Sequence, residues 1–159
     1  MKQKSLSKWL KIIIIGVGLA GLAVLFVIIP SLGQGIVGQN PEFDYCYYPW
    51  LILFWVCGLP CYAALVLGWK IAVNIGIDRS FSRENAHYMS WISTLAAIDA
   101  VLFFTMNVVF LLLNMNHPGI FLLSLIVVFI GVAISVAAAA LSHLVMKAAE
   151  LQEQNDLTI

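Results

Sequence analysis

Charged residues are scarce in this sequence, and their scarcity excludes most soluble folds. Only 10% of the 159 residues are Asp, Glu, Lys or Arg, while 62% are hydrophobic; soluble domains carry about a quarter charged residues. The net charge is zero, so no basic surface for direct nucleic-acid binding is expected. The three cysteines form an odd set and predict no disulfide framework. The composition therefore predicts an integral membrane protein with a single domain over residues 1–159.

Four apolar segments, each nearly free of charge, dominate the chain. About 20 helical residues cross the ~30 Å hydrocarbon layer of a bilayer, and each segment reaches that length. We predict an all-α, integral membrane four-helix bundle with helices at about 9–30, 49–73, 88–113 and 119–147. The predicted connections are an outer loop at 31–48, a cytoplasmic loop at 74–87 and a cytoplasmic tail at 148–159.

Lys and Arg are absent from both predicted outer connections. All eight lie in the first eleven residues, between Lys70 and Arg83, or at Lys147. Because cytoplasmic segments carry the excess of Lys and Arg, both termini are predicted to be cytoplasmic. The first segment resembles a signal peptide in its basic start, but its apolar run exceeds the 7–15 residues usual there, so a retained helix is preferred.

One acidic residue, Asp99, lies near the middle of the predicted third helix. A carboxylate without partners is costly at that depth in hydrocarbon, so polar neighbours are expected. Counting equal depths along the other helices predicts a buried polar layer of Asp99, Tyr62, Cys61 and Ser135, which Asn107 extends outward. Two interpretations stay open: structural hydrogen bonds between helices, or a path for a ligand or a proton.

Small residues recur on one face of the first and fourth predicted helices. Gly16, Ala20 and Ala23 predict a strip on the first helix where a neighbour approaches closely. Successive residues of a helix are rotated by about 100°, and this rotation places several small residues of the fourth helix on one face. The longer seam that they form consists of Ser124, Gly131, Ser135, Ala138 and Ser142.

The predicted outer loop is acidic and aromatic. Turn-forming residues dominate 31–48, and its only charges are Glu42 and Asp44, followed by Tyr45. This pattern is typical of a simple interfacial loop, or of a mouth that receives a cation or a peptide. The three histidines lie near opposite membrane boundaries, so we predict no metal site and no cofactor.

The predicted cytoplasmic loop and tail carry the remaining candidates. Ser82 is a favourable N-cap for the third helix. The segment is either a capped turn or a docking surface for a cytoplasmic partner. The docking candidates are Arg79, Phe81, Arg83, Glu84 and Asn85 in the loop, and Asn155, Asp156 and Leu157 in the tail.

Three motifs stand in order along the chain: PEFDYCYYP at 41–49, IDRSFSREN at 77–85 and QNDLTI at 154–159. Together they resemble a family of bacterial membrane proteins, domain-of-unknown-function family 2975. Gln154 occupies a position where an acidic residue is common in that family. The resemblance implies a small four-helix protein, often encoded beside a small helix-turn-helix transcription regulator, with no known activity.

Two functions compete for a protein of the bacterial cytoplasmic membrane. The first is a membrane-bound sensor or regulatory partner whose loop and tail hold a cytoplasmic helix-turn-helix regulator. The alternative is a small transport or bacteriocin-immunity-type protein that uses the Asp99 layer and the acidic outer loop. An enzyme is not expected, because Cys57 and Cys61 lack the Cys-x-x-Cys spacing of redox motifs. The expected partners are the lipid bilayer, the regulator and, as a homo-oligomer, further copies of the chain.

Overall fold

The computed structural model describes residues 3–156, which form four long helices. These are α1 (Gln3–Gln39), α2 (Asp44–Gly76), α3 (Arg83–Leu112) and α4 (Pro118–Asp156). No strand occurs in the described part of the chain. Each helix is long and apolar enough to cross a membrane, so the all-α class with four membrane-length helices is confirmed.

Helix α1 extends beyond Pro30, where its predicted end lay. An α-helical part, Gln3–Ala23, is followed by a π-helical turn, Val24–Ile28, and by a second α-helical part, Ile29–Gln39. Such π-helical turns are rare inside α-helices and have an identifiable local cause. Here a proline, Pro30, lies two residues after the last residue of the turn.

The π-helical register changes which carbonyl loses its partner at Pro30. In this register an N–H bonds to the carbonyl five residues earlier, and proline has no N–H. The carbonyl left without a backbone donor is therefore that of Leu25. Trp55 Nε1 donates to Leu25 O at 3.2 Å, so a side chain of α2 satisfies it.

The prediction of an outer loop at 31–48 is wrong, because most of this segment is helical. Only Asn40 and a 3₁₀ turn, Pro41–Phe43, separate α1 from α2. Glycine costs about 1 kcal/mol relative to alanine inside a helix in water. In an apolar environment a backbone group without a partner costs several kcal/mol, so the glycines of this stretch remain helical.

Helix α4 likewise continues through most of the predicted tail 148–159. It ends at Asp156, so the polar residues that follow Lys147 extend the helix beyond its apolar part. Leu157 lies outside the described residues, as does the side chain of Asp156.

The helices pack in chain order, each antiparallel to the one before. Ser7 Oγ, near the start of α1, donates to Ala72 O, near the end of α2, at 2.6 Å. Asn74 Nδ2, also near the end of α2, donates to Asn85 Oδ1 in the first turn of α3 at 2.9 Å. Within residues 3–156, close backbone approaches between the long helices join only consecutive ones.

This arrangement gives the molecule two distinct ends. The start of α1, the α2–α3 loop (77–82) and the end of α4 share one end, which we call the terminal end. The α1–α2 turn (40–43) and the α3–α4 turn (113–117) share the opposite end, which we call the distal end.

The predicted seam of small residues on α4 packs against α3. Ser135 Oγ donates to Ser93 O at 2.9 Å, and Ser142 Oγ donates to Ala86 O at 2.6 Å. About one turn beyond the Ser135–Ser93 bond, toward the start of α4, a Cβ built at Gly131 would lie 3.2 Å from Ala100 Cβ. The seam is confirmed as the contact that brings α3 and α4 together.

The predicted strip on α1 is wrong. Gly16, Ala20 and Ala23 are all exposed, and a Cβ built at Gly16 would meet no atom within 4 Å. The side of α1 that faces α2 contains Gly18 and Gly21 instead, beside Tyr62. The predicted strip and the observed contact occupy different faces of the same helix.

Replacing Gly131 by isoleucine should weaken the α3–α4 contact by about 1–3 kcal/mol, because a branched side chain has no room beside Ala100. Gly16→Ile is the matched control, since Gly16 is helical and a Cβ there meets open space. The free energy of unfolding of both variants is measured in mixed micelles with increasing SDS. Equal losses would show that the α3–α4 seam is not closely packed.

Candidate functional site

The surroundings of Asp99 are formed by two thiols of α2. Cys61 Sγ donates to Asp99 Oδ2 at 3.6 Å, and the Cys57 thiol also lies beside the carboxyl group. Asp99 Oδ1 is buried and has no hydrogen-bond partner among the described residues. Cys57 was missed as a member of this group, although its i, i+4 spacing from Cys61 places both thiols on one face of α2.

The other predicted members of the layer bond elsewhere. Tyr62 O–H donates to Gly18 O of α1 at 2.6 Å. Ser135 bonds Ser93, which is nearly two helical turns from Asp99 along α3. The predicted layer rests on depth along each helix and takes no account of the direction in which a side chain points around the helix axis. Successive residues point about 100° apart, so Tyr62 and Cys61 face different helices.

Asn107 also lies apart from Asp99. It is fully buried, its Nδ2 donates to Phe103 O at 2.9 Å, and its Oδ1 accepts from Asn116 Nδ2 at 3.1 Å. Asn107 therefore fastens the α3–α4 turn to α3. The predicted layer is reduced to Asp99 and Cys61, with Cys57 added.

No group of three or more His, Cys, Asp or Glu side chains within residues 3–156 is arranged to hold a metal ion. The three cysteines are free thiols.

The α2–α3 loop at the terminal end is closed by a buried amide. Asn85 is fully buried: its Nδ2 donates to Arg79 O and Ser80 O at 3.0 and 3.1 Å, and its Oδ1 accepts from Asn74. Its own N–H donates to Ser82 Oγ at 3.2 Å, which confirms Ser82 as the N-cap of α3. The predicted docking role of Asn85 is wrong, because its side chain is buried and its donors and acceptor are occupied.

An ion pair joins this loop to the end of α4. Arg83 donates from Nε and Nη2 to the two carboxylate oxygens of Glu153, at 3.0 and 2.7 Å. Both side chains are more than half exposed, so solvent screening leaves the pair little effect on stability. Its two parallel bonds do fix the orientation of both groups. The start of α3 and the end of α4 thus form one polar surface.

The remaining docking candidates lie around this ion pair. Arg79, Phe81 and Asn155 are exposed. Glu84 is exposed and accepts a hydrogen bond from Tyr88 O–H at 2.5 Å. The structure therefore keeps most of the predicted loop and tail residues together at the terminal end.

The predicted outer residues lie at the distal end, in a turn and a helix rather than in a loop. Glu42 belongs to the 3₁₀ turn, and Asp44 is in the first turn of α2, where the helix dipole favours an anion. Tyr45 O–H donates to Asn114 O at 3.0 Å and links α2 to the α3–α4 turn. A cavity of about 710 Å³ opens beside this contact, between α1, α2 and the α3–α4 turn.

Replacing Asn85 by alanine should destabilise the protein by about 1–3 kcal/mol, because three hydrogen bonds are lost at a buried position. Asn155→Ala removes the same amide from an exposed position of α4 and serves as the control. Chemical unfolding followed by circular dichroism distinguishes them. A loss for Asn85→Ala no larger than for Asn155→Ala would contradict the assigned role.

Comparison with known proteins identifies a family and a membrane-protein relative. The model of a family described as "Protein of unknown function (DUF2975)" matches residues 31–159. The chain is 27% identical over 153 residues to the "Uncharacterized membrane protein YoaS" of Bacillus subtilis (strain 168), a match that covers 95% of this chain and 96% of that protein. No solved structure matches. The chain is a multi-pass membrane protein that belongs to the DUF2975 family.

Proposed function

We propose that this protein is a membrane-bound regulatory partner that holds a cytoplasmic protein at its terminal end. The observation that carries the proposal is the Arg83–Glu153 ion pair, because it joins the α2–α3 loop and the end of α4 into one surface. These are the segments that carry the second and third family motifs. A surface assembled from two distant parts of the chain suits recognition better than either part alone.

The distribution of charge supports a cytoplasmic position for this surface. The described Lys and Arg side chains all lie toward the terminal end, and two of them lie over aromatic rings: Lys11 over Trp69 at 5.5 Å and Lys70 over Tyr88 at 5.3 Å. Long basic side chains beside aromatic rings are typical of the membrane–water interface. The positive-inside rule then favours cytoplasmic termini in a bacterial cytoplasmic membrane.

Exposed apolar side chains give the terminal end the character of a protein-binding surface. Ile77 and Phe81 of the loop are 58% and 59% exposed, and Leu151 of α4 is 66% exposed. Apolar groups within a polar rim are typical of contacts between proteins. The family resemblance makes a small helix-turn-helix transcription regulator the best candidate partner. In this proposal the membrane protein contacts the regulator, and only the regulator contacts DNA.

The second candidate function is a small transport or immunity protein that uses Asp99. The observation in its favour is the buried Oδ1 of Asp99 without a partner among the described residues. Pro60, one residue before Cys61, removes a backbone bond of α2 near this group. Cation uptake into proteoliposomes that disappears with Asp99→Asn would favour this candidate over the first. We propose no catalytic role for the thiols.

The proposed partnership predicts co-purification from native membranes with the helix-turn-helix regulator encoded nearest to this chain. Arg83→Glu and deletion of 155–159 should each lower recovery of the regulator about tenfold, equivalent to ~1.4 kcal/mol. The double exchange Arg83→Glu with Glu153→Arg restores the ion pair in reverse and should recover part of the binding.

Glu42→Lys is the control for that experiment, since it changes charge at the distal end and should leave recovery unchanged. Unchanged recovery with both Arg83→Glu and the deletion would contradict the proposed function.

A further inference from the structure

The cavity at the distal end has the size and lining of a binding site for an apolar chain. Its volume of about 710 Å³ falls within the range of roughly 300–1,000 Å³ that small-molecule sites occupy. Its walls are mostly apolar or aromatic side chains, among them Ile29, Ile36, Val37, Tyr47, Trp50 and Phe54. An alkyl chain entering from the bilayer would exchange one apolar environment for another, so polar contacts must decide which molecule binds.

Hydrogen bonds hold the walls of this cavity in place. Trp50 Nε1 donates to Met115 O at 2.9 Å, and Tyr45 O–H donates to Asn114 O. A Cβ built at Gly33 would lie 2.7 Å from the ring of Tyr47, so this ring packs directly on the backbone of α1. The cavity is therefore preformed, which reduces the ordering cost of binding.

One buried polar atom beside the cavity lacks a partner. Asn116 lines the cavity; its Nδ2 donates to Asn107, while its Oδ1 is buried without a hydrogen-bond partner in the described part of the chain. A buried acceptor left unsatisfied costs about 1–3 kcal/mol. This oxygen exposes less than 1 Å² of surface, so a ligand in the cavity reaches it only when the Asn116 side chain rotates.

The charge at the distal end selects among such ligands. Glu42 and Asp44 flank Phe43, which lines the cavity, and both carboxylates are exposed. The sequence contains no Lys or Arg between residues 31 and 69 or between residues 84 and 146. The lining does contain His117, whose Nδ1 accepts a hydrogen bond from Gly119 N–H at 3.1 Å. An anionic head group would meet no Lys or Arg there and would face two carboxylates, which instead attract a protonated amine.

We infer that the distal cavity binds one amphiphilic cation from the membrane, a molecule with a single alkyl chain and a protonated amine. The chain lies among the aromatic and aliphatic walls, and the ammonium group lies toward the two carboxylates. This inference does not depend on the proposed regulatory function, because it concerns the opposite end of the molecule and makes no use of a cytoplasmic partner.

The test is binding of tritiated dodecylamine to the full chain in nanodiscs of zwitterionic lipid, measured by scintillation proximity with empty nanodiscs subtracted. Unlabelled dodecylamine, dodecanol and dodecanoate serve as competitors with equal chains and different heads. We expect saturable binding that dodecylamine displaces best and dodecanoate least.

Two variants locate that binding. Val37→Trp fills the cavity and should lower the affinity about tenfold or more. Val27→Trp makes the same change on an exposed position of α1 outside the lining and should leave the affinity unchanged. The double variant Glu42→Gln with Asp44→Asn changes only exposed side chains and should reduce the preference for the amine over the alcohol.

Three results would overturn the inference. The first is binding of dodecylamine that does not saturate above empty nanodiscs. The second is an equal loss for Val37→Trp and Val27→Trp. The third is displacement by dodecanoate that is as strong as displacement by dodecylamine.

Discussion

Hydrogen bonds from side chains to backbone carbonyls of the adjacent helix hold α1 to α2 and α3 to α4. A hydroxyl or indole group in hydrocarbon must find a partner, and a nearby helix offers its carbonyls only where the backbones approach closely. Tyr62 reaches Gly18 O, Trp55 reaches Leu25 O, and Ser135 reaches Ser93 O. Each bond joins helices that are consecutive in the chain, so the molecule is organised as a series of neighbouring pairs.

The two ends of the molecule differ because different groups fasten them. At the terminal end, the buried amide of Asn85 closes a short loop and leaves the surrounding charges exposed to water. At the distal end, Tyr45 and Trp50 fasten α2 to the α3–α4 turn, while α1 contacts α2 alone among the long helices within residues 3–156. The first arrangement gives a polar surface, which we propose binds a protein partner, and the second leaves an apolar cavity between α1, α2 and the α3–α4 turn.

The sequence was sufficient to predict features that depend on composition or on rotation about one helix axis. The four apolar helices and the α4 seam through Gly131 belong to this group. The loop 31–48 could not be predicted, because glycine and proline indicate turns in water, whereas lipid keeps the backbone helical and a π-helical turn accommodates Pro30. The partners of Asp99 require the rotation of several helices at once, and the cavity exists only because α1 continues to Gln39.

The central claim, that consecutive helices are joined in chain order, is tested most directly by paired cysteines in a variant without the three native thiols. Ser93 Oγ and Ser135 Oγ lie 3.2 Å apart, so Ser93→Cys with Ser135→Cys should form an intramolecular cross-link on mild oxidation in membranes. Gly16→Cys with Ala137→Cys, on exposed faces of α1 and α4, should not form one. An intramolecular cross-link between α1 and α4, with none between α3 and α4, would contradict this account.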